Sequence, residues 1–459
     1  MTTLLICADG WEGPPPDLDG VDPVLVDELC VGSRSVEAAI PEATDELAVA
    51  VHRRRVNMGA LQAGMRRAGF DPFAVAVVDL DAVGTPSELP VAVAAGLARA
   101  RAFRGAAPEQ IKLLPSDRRT RRGFLSLGAP TYTGAPRIVP EVCAADRGCD
   151  LCVTECPAGA LSWSDGRVVY DPTSCVVCGI CLTTCPVGAV DHPTASPAAI
   201  SREIATAVTA SETTTAIRFR CREAVVPAEP GWYQVEVPCT QMLTVGWFLA
   251  ARALGAADVD AVPCSRGGCT LGGDERLAGA LADLDTVVTA VGSPVADVEA
   301  DDGFAAAATT RLIERFADPA APVWVELSVS DVGSVTIDPD ACTACEACAT
   351  VCPTSALLST SDDGVRITFD PRMCVACGLC VRVCPEVDEG AIALRRGFDL
   401  ADRRRGRRTL RHDPTPRCEL CGAPVAPASM LARISELLGP EGSATMALVG
   451  RRCIDCRGR

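Results

Sequence analysis

The sequence has little of what most enzymes and most nucleic-acid-binding proteins use. Its 459 residues include 3 histidines and 4% aromatic residues, and Lys112 is the one lysine among 43 basic residues. The formal net charge of −16 disfavours binding to nucleic acid, because contact with a phosphate backbone needs an excess of basic side chains. No run of 18 apolar residues occurs, so we expect no membrane span.

Several sequence motifs of enzymes are also missing. No G-x-G-x-x-G follows a predicted strand, no nucleophile elbow is present, and His52, His192 and His412 follow no C-x-x-C pair. These absences argue against dinucleotide binding, serine-type catalysis and c-type haem, so we predict no catalytic residue in the chain. Residues 1–13 lack the basic segment and long apolar run of a signal peptide, and we therefore expect a reducing, cytoplasmic location.

Cysteine, by contrast, is abundant, with 26 residues. The densest stretch reads Cys342-x2-Cys345-x2-Cys348-x3-Cys352-Pro353, followed by Cys374-x2-Cys377-x2-Cys380-x3-Cys384-Pro385. Three thiolates at this spacing can surround one [4Fe–4S] cluster, while the fourth, before proline, reaches the neighbouring cluster. A disulfide framework and zinc are the alternatives, but zinc usually takes two separate C-x2-C pairs. The stretch therefore predicts two [4Fe–4S] clusters.

An earlier stretch repeats the pattern with one irregularity. It reads Cys143-x5-Cys149-x2-Cys152-x3-Cys156-Pro157, followed by the regular Cys175-x2-Cys178-x2-Cys181-x3-Cys185-Pro186. Regular spacing would put the first ligand at Asp146, which could bind iron through oxygen, whereas Cys143 needs a three-residue insertion. A proline lies three residues before the first cysteine of the other three motifs, and Pro140 lies three before Cys143. We favour Cys143 because this proline fixes the register and thiolate is the softer iron ligand.

Both stretches carry a hairpin-like segment between their two motifs, at residues 161–170 and 357–369, and both resemble bacterial two-cluster ferredoxins over about 50 residues each. The crossed pattern predicts four ligand sets. Set 1 is Cys143, Cys149, Cys152 and Cys185; set 2 is Cys175, Cys178, Cys181 and Cys156; set 3 is Cys342, Cys345, Cys348 and Cys384; set 4 is Cys374, Cys377, Cys380 and Cys352.

A further group of cysteines lies between the two stretches, in a segment that alternates predicted strands and helices. Strands at residues 214–220, 233–238 and 258–263 lead into Cys221, Cys239 and Cys264, and Cys269 follows in the next loop. Because the carboxyl ends of parallel strands meet at one edge of a sheet, these four cysteines, named here the strand-end set, predict a four-thiolate site. A [2Fe–2S] cluster and zinc both suit four thiolates, and chance burial of cysteines is the alternative.

The same segment is similar to the delta subunit of methyl-viologen-reducing hydrogenase over about 100 residues. The similarity rests on Cys221, Val237-Pro-Cys-Thr240 and Val262-Pro-Cys-Ser-Arg-Gly-Gly-Cys269. It implies a [2Fe–2S] cluster and electron transfer between a hydrogenase and a heterodisulfide reductase. The chain departs from that family at Ala224, where a second cysteine is usual, and lacks its acidic and histidine residues near the last cysteine.

The N-terminal segment also alternates predicted strands, at residues 4–8, 24–29, 47–52 and 74–80, with helices at 57–68 and 88–103. This order indicates a parallel α/β unit. Cys7 and Cys30 follow or end two of the strands, and we interpret them as small buried hydrophobic residues. Residues 47–72 resemble the N-terminal domain of the heterodisulfide reductase A subunit, but Val51-His52 stands where that family has a cysteine. A loop rich in Gly, Pro and Arg is predicted at 115–136.

The C-terminal region contains a basic stretch and two further cysteine pairs. Residues 403–408 are predicted to be a solvated linker, with a docking strip for an acidic partner as the alternative. Cys418-x2-Cys421 and Cys453-x2-Cys456 flank a predicted helix at residues 429–438, which is the arrangement of a zinc ribbon. A redox or rubredoxin-type iron site is the alternative to a structural zinc.

These patterns predict a multidomain α/β and α+β protein with five units. They are an α/β unit at 1–130, a first cluster unit at 131–195, a second α/β unit at 196–325, a second cluster unit at 326–395, and a basic linker with a zinc ribbon-like unit at 396–459.

One-electron centres cannot accept a hydride, so the sequence predicts an electron-transfer subunit of a cytosolic oxidoreductase complex. Its partners would be hydrogenase, heterodisulfide-reductase-like or molybdenum or flavin dehydrogenase subunits. A redox sensor or assembly scaffold is the main alternative, and a nucleic-acid-binding zinc protein is a third.

Overall fold

The computed structural model describes residues 1–9, 11, 13–30, 33–103, 109–113, 130–264, 271, 274–291, 309, 312–313, 324–329, 331–361 and 364–457.

The N-terminal unit is a four-stranded parallel sheet in the order β2-β1-β3-β4, as the alternating pattern predicts. Every second apolar residue faces one side, so Leu4 and Ile6 pack on one helix layer while Leu5 and Cys7 pack on the other. Helix α1 is an element that the sequence analysis did not anticipate. The elements are β1 (Thr2–Cys7), β2 (Val21–Val26), α1 (Ser33–Ala39), β3 (Glu46–Val51), α2 (Met58–Arg67), β4 (Ala76–Asp79) and α3 (Leu89–Arg101).

Two short sheets and a hairpin frame the first cluster unit. The segment expected to be a loop at 115–136 contains strand β6, which pairs antiparallel with β5, so that expectation is wrong for residues 130–134. The predicted turn at Asp165-Gly166 is present, with φ of 50° and 72° at its two residues, as a tight hairpin turn requires. The elements are β5 (Glu109–Leu113), β6 (Pro130–Gly134), β7 (Arg137–Ile138), α4 (Leu151–Thr154), β8 (Leu161–Ser164), β9 (Arg167–Tyr170), α5 (Ile180–Thr184) and β10 (Val190–Asp191).

The second α/β unit is a three-stranded parallel sheet in the order β12-β11-β13. Its core is aliphatic except where Phe219 meets Trp247 and Phe248 edge to face, with ring centroids 6.3 and 5.9 Å apart. The elements are α6 (Pro197–Ala210), β11 (Ala216–Cys221), β12 (Trp232–Val237), α7 (Val245–Ala253), β13 (Val259–Val262) and α8 (Asp274–Val291).

The second cluster unit is built from two antiparallel sheets, with strand orders β14-β18-β15 and β16-β17-β19. Two helices follow it toward the C-terminus. The elements are β14 (Val325–Glu326), β15 (Gly333–Ile337), α9 (Ala347–Thr350), β16 (Leu357–Thr360), β17 (Val365–Phe369), α10 (Leu379–Arg382), β18 (Ile392–Phe398), α11 (Leu400–Arg405), β19 (Arg408–Asp413), α12 (Ala428–Leu438) and α13 (Ser443–Val449).

The basic stretch at 403–408 is not a solvated linker. Arg403 is 1% exposed and donates a hydrogen bond to the Pro371 carbonyl at 3.1 Å, while Arg407 donates to the Ser355 carbonyl at 2.8 Å. The stretch belongs to α11 and β19, and β19 adds a third strand to the hairpin of the second cluster unit. The guanidinium groups of Arg403 and Arg407 satisfy loop carbonyls of that unit, while Arg404 and Arg405 are exposed.

The two parallel sheets adjoin at their carboxyl edges. Arg220 at the end of β11 pairs with Asp79 at the end of β4, at 3.0 Å, and Arg53 after β3 pairs with Glu236 in β12, also at 3.0 Å. Helix α3 lies against α6, where Arg99 pairs with the buried Glu203 at 2.7 Å. The residues after the strands of one sheet therefore lie beside the residues that end the strands of the other.

Candidate metal centres

Three cavities are lined by cysteines in the crossed combination that the sequence predicts. One is lined by the four cysteines of set 2, a second by those of set 3 and a third by those of set 4. In each, three cysteines come from one motif and the fourth comes from the other motif of the same unit. In each unit the hairpin between the two motifs returns the chain so that this crossing occurs. Equivalent hydrogen bonds hold the ends of the two hairpins: Asp171 N–H donates to the Ala160 carbonyl and Asp370 N–H to the Ala356 carbonyl, both at 2.8 Å.

The cysteine loops owe their shape to residues in the left-handed region on either side of the second cysteine. Val177 and Gly179 have φ of 55° and 79°, Ala344 and Glu346 have 52° and 64°, and Ala376 and Gly378 have 51° and 78°. Such conformations cost about 1–3 kcal/mol each for residues other than glycine, so the fold or a bound group must compensate for them. As a result, backbone N–H groups point at the cysteine sulfurs. The Val177 N–H, for example, donates to Cys175 Sγ at 3.3 Å.

The irregular motif follows half of this rule, since Asp150, after the second ligand Cys149, has φ of −125°. The residue before Cys149, Gly148, has φ of 86°, as the residue before the second cysteine does in each regular motif. Residues Ala144–Arg147 form a short 3-10 turn that accommodates the extra length after Cys143. Asp146 lies exposed on this turn. This register fits either first ligand, whereas the contribution of the Cys143 thiol to the raised pKa values of Cys149 and Cys152 favours the predicted Cys143.

The thiols of set 1 lie close to one another. Burial, together with the nearby thiols of Cys185, Cys149 and Cys143, raises the pKa of Cys152 to about 12. Burial likewise raises the pKa values of Cys149 to about 11 and of Cys374 to about 12. Cys149 and Cys152 in so apolar a setting are neutral thiols on their own, and binding of iron, which takes thiolates, would release their protons.

Further backbone N–H groups donate to the sulfur of the fourth cysteine of a motif. Ala160 donates to Cys156 Sγ at 3.3 Å, Ala189 to Cys185 Sγ at 3.1 Å, and Leu357 to Cys352 Sγ at 3.4 Å. Hydrogen bonds to ligand sulfur stabilise the reduced cluster and raise its reduction potential. Soft thiolates, cavities lined by four cysteines and N–H donors together fit [4Fe–4S] clusters in the two units.

Comparison with protein families agrees with this geometry. Residues 133–189 and residues 334–385 each match the family described as a 4Fe-4S dicluster domain. Both cluster units are ferredoxin-type domains. Each holds its cysteines as domains that bind two [4Fe–4S] clusters do, so [4Fe–4S] clusters are the cofactors of these units. A comparison with curated proteins finds no match to the chain. Among the helices of the described residues, none is long and apolar enough to cross a membrane.

The two cluster units touch through sets 1 and 4. Ala144, Cys149 and Leu379 form one apolar contact with Cys377, and the Cys377 thiol is near enough to raise the pKa of Cys149. The Arg147 guanidinium donates to the carbonyls of Cys352 and Pro353, at 3.2 and 3.1 Å. Set 1 of the first unit and set 4 of the second unit therefore face each other across the junction.

The first cluster unit also touches the strand-end set of the second α/β unit. Arg222 donates to the Val176 carbonyl at 2.8 Å, and Met242 packs so closely on Gly179 that a Cβ there would lie 2.8 Å from its sulfur. The Cys178 thiol of set 2 is near enough to Cys239 to contribute to the raised pKa of that cysteine. Set 2 is thus the neighbour of the sheet edge where Cys239 lies.

The structure brings together two members of the strand-end set and places a third at the same edge. A hydrogen bond from the Cys239 thiol lowers the pKa of Cys221 to about 6. Strand β13 pairs with β11 with Val262 opposite Arg220, so Cys264, two residues beyond Val262, lies at the same carboxyl edge. Cys269 lies outside the described residues.

The C-terminal cysteines form the tightest group. The sulfurs of Cys418, Cys421, Cys453 and Cys456 all lie within 4.8 Å of one another, and a tetrahedral zinc with bonds of about 2.3 Å needs sulfurs about 3.8 Å apart. Three of these cysteines, with Ala423 and Val425 beside them, make up the small core of this unit. So few apolar residues cannot stabilise a fold alone, which is the usual situation of a unit that folds around a metal. The four thiolates fit zinc.

One pair of cysteines that the sequence analysis treated as inert is also in contact. Cys7 Sγ and Cys30 Sγ lie 3.0 Å apart in the N-terminal unit, both buried. The sequence could have predicted this contact, because both cysteines lie at or just after the carboxyl ends of predicted strands. The same criterion identified the strand-end set.

Proposed function

We propose that the chain is an electron-transfer subunit of a cytosolic oxidoreductase complex and that its iron–sulfur centres form one continuous row. The row runs from the strand-end set through set 2, set 1 and set 4 to set 3. Contact at both inter-unit junctions carries this proposal: Met242 packs on Gly179, next to Cys178, at one, and Cys149 packs with Cys377 at the other. Inside the units, Cys181 lies near Cys152 and Cys380 lies near Cys348.

The chemistry of the row supports transfer rather than catalysis. Each cluster exchanges one electron, and its potential depends on burial and on hydrogen bonds to sulfur. A row of such centres can carry electrons between two sites but cannot take a hydride, so the complex needs a flavin, nickel or molybdenum centre in another subunit. The similarity to the hydrogenase delta subunit and the heterodisulfide reductase A subunit supports hydrogenase or heterodisulfide-reductase-like partners.

The strand-end set completes this proposal as a [2Fe–2S] centre, held by Cys221, Cys239, Cys264 and Cys269. The C-terminal four-cysteine group holds a structural zinc and lies next to the far end of the row. Arg433 on α12 pairs at 3.1 Å with Glu386, two residues after Cys384 of set 3.

Metal analysis of anaerobically purified protein tests the proposal. Four [4Fe–4S] clusters and one [2Fe–2S] cluster give about 18 irons, with about one zinc, per chain. About 16 irons would remove the strand-end set from the row, about ten would mean that one cluster unit holds no clusters, and about eight would mean both. A colourless protein without an electron paramagnetic resonance signal after dithionite treatment would contradict the proposal altogether.

A redox sensor or scaffold is the second candidate, and kinetics separates the two. In an electron-transfer subunit, clusters reduced by a low-potential donor are rapidly reoxidised by an acceptor protein and stay intact. In a sensor, oxidation breaks the clusters down and changes partner binding instead.

A further inference from the structure

The carboxyl edge of the N-terminal sheet collects reactive side chains from successive strands. Cys7 ends β1, Cys30 follows β2, His52 follows β3 and Asp81 follows β4. The edge of a parallel sheet where strands end is the usual location of a functional site. None of these side chains belongs to the predicted metal ligands.

The two thiols form an isolated pair. Cys7 and Cys30 are 0% and 1% exposed, their sulfurs are 3.0 Å apart, and the backbone N–H of His52 donates to Cys30 Sγ at 3.4 Å. A disulfide needs sulfurs about 2.05 Å apart, so only a small movement separates this contact from a bond.

A metal does not explain the pair. Within the described residues, no further His, Cys, Asp or Glu side chain joins Cys7 and Cys30 in a group close enough to hold a single metal ion. Both ring nitrogens of His52 already have partners, Nδ1 with Asp81 and Nε2 with the Asp9 carbonyl, each at 3.0 Å. Two sulfurs without a third ligand are the pattern of a dithiol rather than of a metal site.

The surroundings of the pair favour exchange of protons together with electrons. Burial and the hydrogen bond that Cys30 donates to Cys7 Sγ raise the pKa of Cys30 to about 12, so Cys30 in the reduced pair is a neutral thiol. The partly exposed Asp9 is near enough to contribute to this shift and can take up the released protons and pass them to water.

The pair lies beside the proposed row of centres. Asp79, at the end of β4, pairs with Arg220, the residue before Cys221. Arg53, the residue after His52, pairs with Glu236, which is three residues before Cys239. The strand-end set therefore lies at the sheet edge that adjoins the edge carrying the pair.

We infer that Cys7 and Cys30 form a reversible disulfide that exchanges two electrons with the iron–sulfur row. In the reducing direction the sulfur–sulfur bond takes two electrons, one after another, from the reduced iron–sulfur centre at the strand-end set, and two protons, and yields two thiols. In the oxidising direction the two thiols lose two protons to Asp9 and water and two electrons to that centre. The inference goes beyond the proposed function and depends on it for the source of electrons.

Mass spectrometry of the full-length protein tests the inference directly. The sequence has no lysine or arginine before Arg34, so trypsin releases residues 1–34, in which Cys7 and Cys30 are the only cysteines. Anaerobic protein is held with its clusters oxidised or reduced, quenched in acid, denatured and alkylated. We expect an unalkylated peptide, lighter by two hydrogens, from the oxidised sample and a doubly alkylated peptide from the reduced sample. Two alkylated cysteines in both samples, or a disulfide in both, would overturn the inference.

Two variants separate this result from failure of the proposed function. C30S should keep the full iron content and yield a peptide with one alkylated cysteine. C239S, which removes a ligand of the strand-end set, should keep the iron of the cluster units but slow reduction of the disulfide at least tenfold. Unchanged speed in C239S would overturn the link to the row, whereas the iron content of the unsubstituted protein tests the proposed function separately.

Discussion

The two cluster units share a ligand pattern but differ in what they touch. The first lies between the second α/β unit, through Met242 on Gly179, and the second cluster unit, through Cys149 and Cys377. The second contacts the first cluster unit through set 4. On the side of set 3 it contacts the C-terminal unit, where Glu386 pairs with Arg433. The cysteine spacing sets the shape of each cage, and packing between units sets which cages are neighbours.

The one irregular loop explains part of this difference. The 3-10 turn Ala144–Arg147, which the longer spacing after Cys143 permits, supplies both Ala144 and Arg147 to the junction with the second unit. The regular motifs have no such turn between their first two cysteines. The extra residues therefore serve contact between the units as well as accommodating a ligand.

The largest effect, a loss of iron, is expected from a substitution in the irregular loop. C143S should remove a ligand of set 1 and lower the iron content by about four atoms per chain, because serine is a poor ligand for iron–sulfur clusters. D146A should leave the iron content unchanged, since Asp146 is exposed on the turn. Iron analysis and electron paramagnetic resonance measure both, and loss of a cluster in D146A alone would assign the ligand to Asp146.

A smaller effect should be confined to the second unit. R403L leaves the Pro371 carbonyl without its buried donor, which should destabilise that unit by about 3 kcal/mol. Its cluster absorbance should disappear at a lower urea concentration than that of the first unit, giving two steps in place of one. R405A, at an exposed neighbouring position, is the matched control and should not separate the steps. Equal urea sensitivity of both units in R403L would show that the buried arginine is not specific to the second unit.

The junction between the units should respond more weakly. R147A removes two hydrogen bonds to the Cys352 and Pro353 carbonyls on a partly exposed surface, at an expected cost of about 1 kcal/mol. We expect a change in the magnetic interaction between the reduced clusters of sets 1 and 4, with the iron content unchanged. R167A, on the exposed hairpin of the first unit, should leave that interaction as it is. An identical spectrum for R147A would argue against contact through this turn.

The smallest effect, a pH-dependent change in stability, is expected at the aspartates that precede Pro172 and Pro371. Hydrogen bonds from Arg372 lower the pKa of Asp370, whereas Ser174 and Thr173 lower that of Asp171. A lowered carboxyl pKa gives stability that is present above the unfolded-state pKa and lost as pH falls through the folded-state pKa. D370N should therefore cost about 1 kcal/mol at pH 7 and progressively less below pH of about 4, while the exposed D171N changes little. Urea unfolding at several pH values measures this, and a pH-independent cost for D370N would contradict it.

The cysteine spacing was enough to predict the crossed lining of sets 2, 3 and 4, because a short motif fixes local loop shape. The hairpin turn at Asp165-Gly166 was predictable for the same reason, and the parallel sheets were predictable from the alternation of strands and helices. The contact between Cys149 and Cys377 was not, since it joins residues 228 positions apart whose spacing carries no shared signal.

The basic stretch was misjudged because arginines that satisfy buried carbonyls look the same in sequence as solvated ones. Arg403 differs from Arg405 only in its surroundings, which the pairing of β19 with β17 creates. Cys7 and Cys30 were likewise taken as isolated because β1 and β2 become neighbours only in the folded sheet.

Electron movement along the row is most directly measured by light-driven injection at one end. His412 lies exposed on β19 beside Arg411, which is near enough to Cys342 of set 3 to affect its pKa, and it can carry a ruthenium photosensitiser. After a flash, electrons should pass from set 3 to the strand-end set, seen as its reduced resonance signal, and C377S should prevent their arrival while set 3 is still reduced. Arrival at an unchanged rate in C377S would contradict a continuous row through set 4.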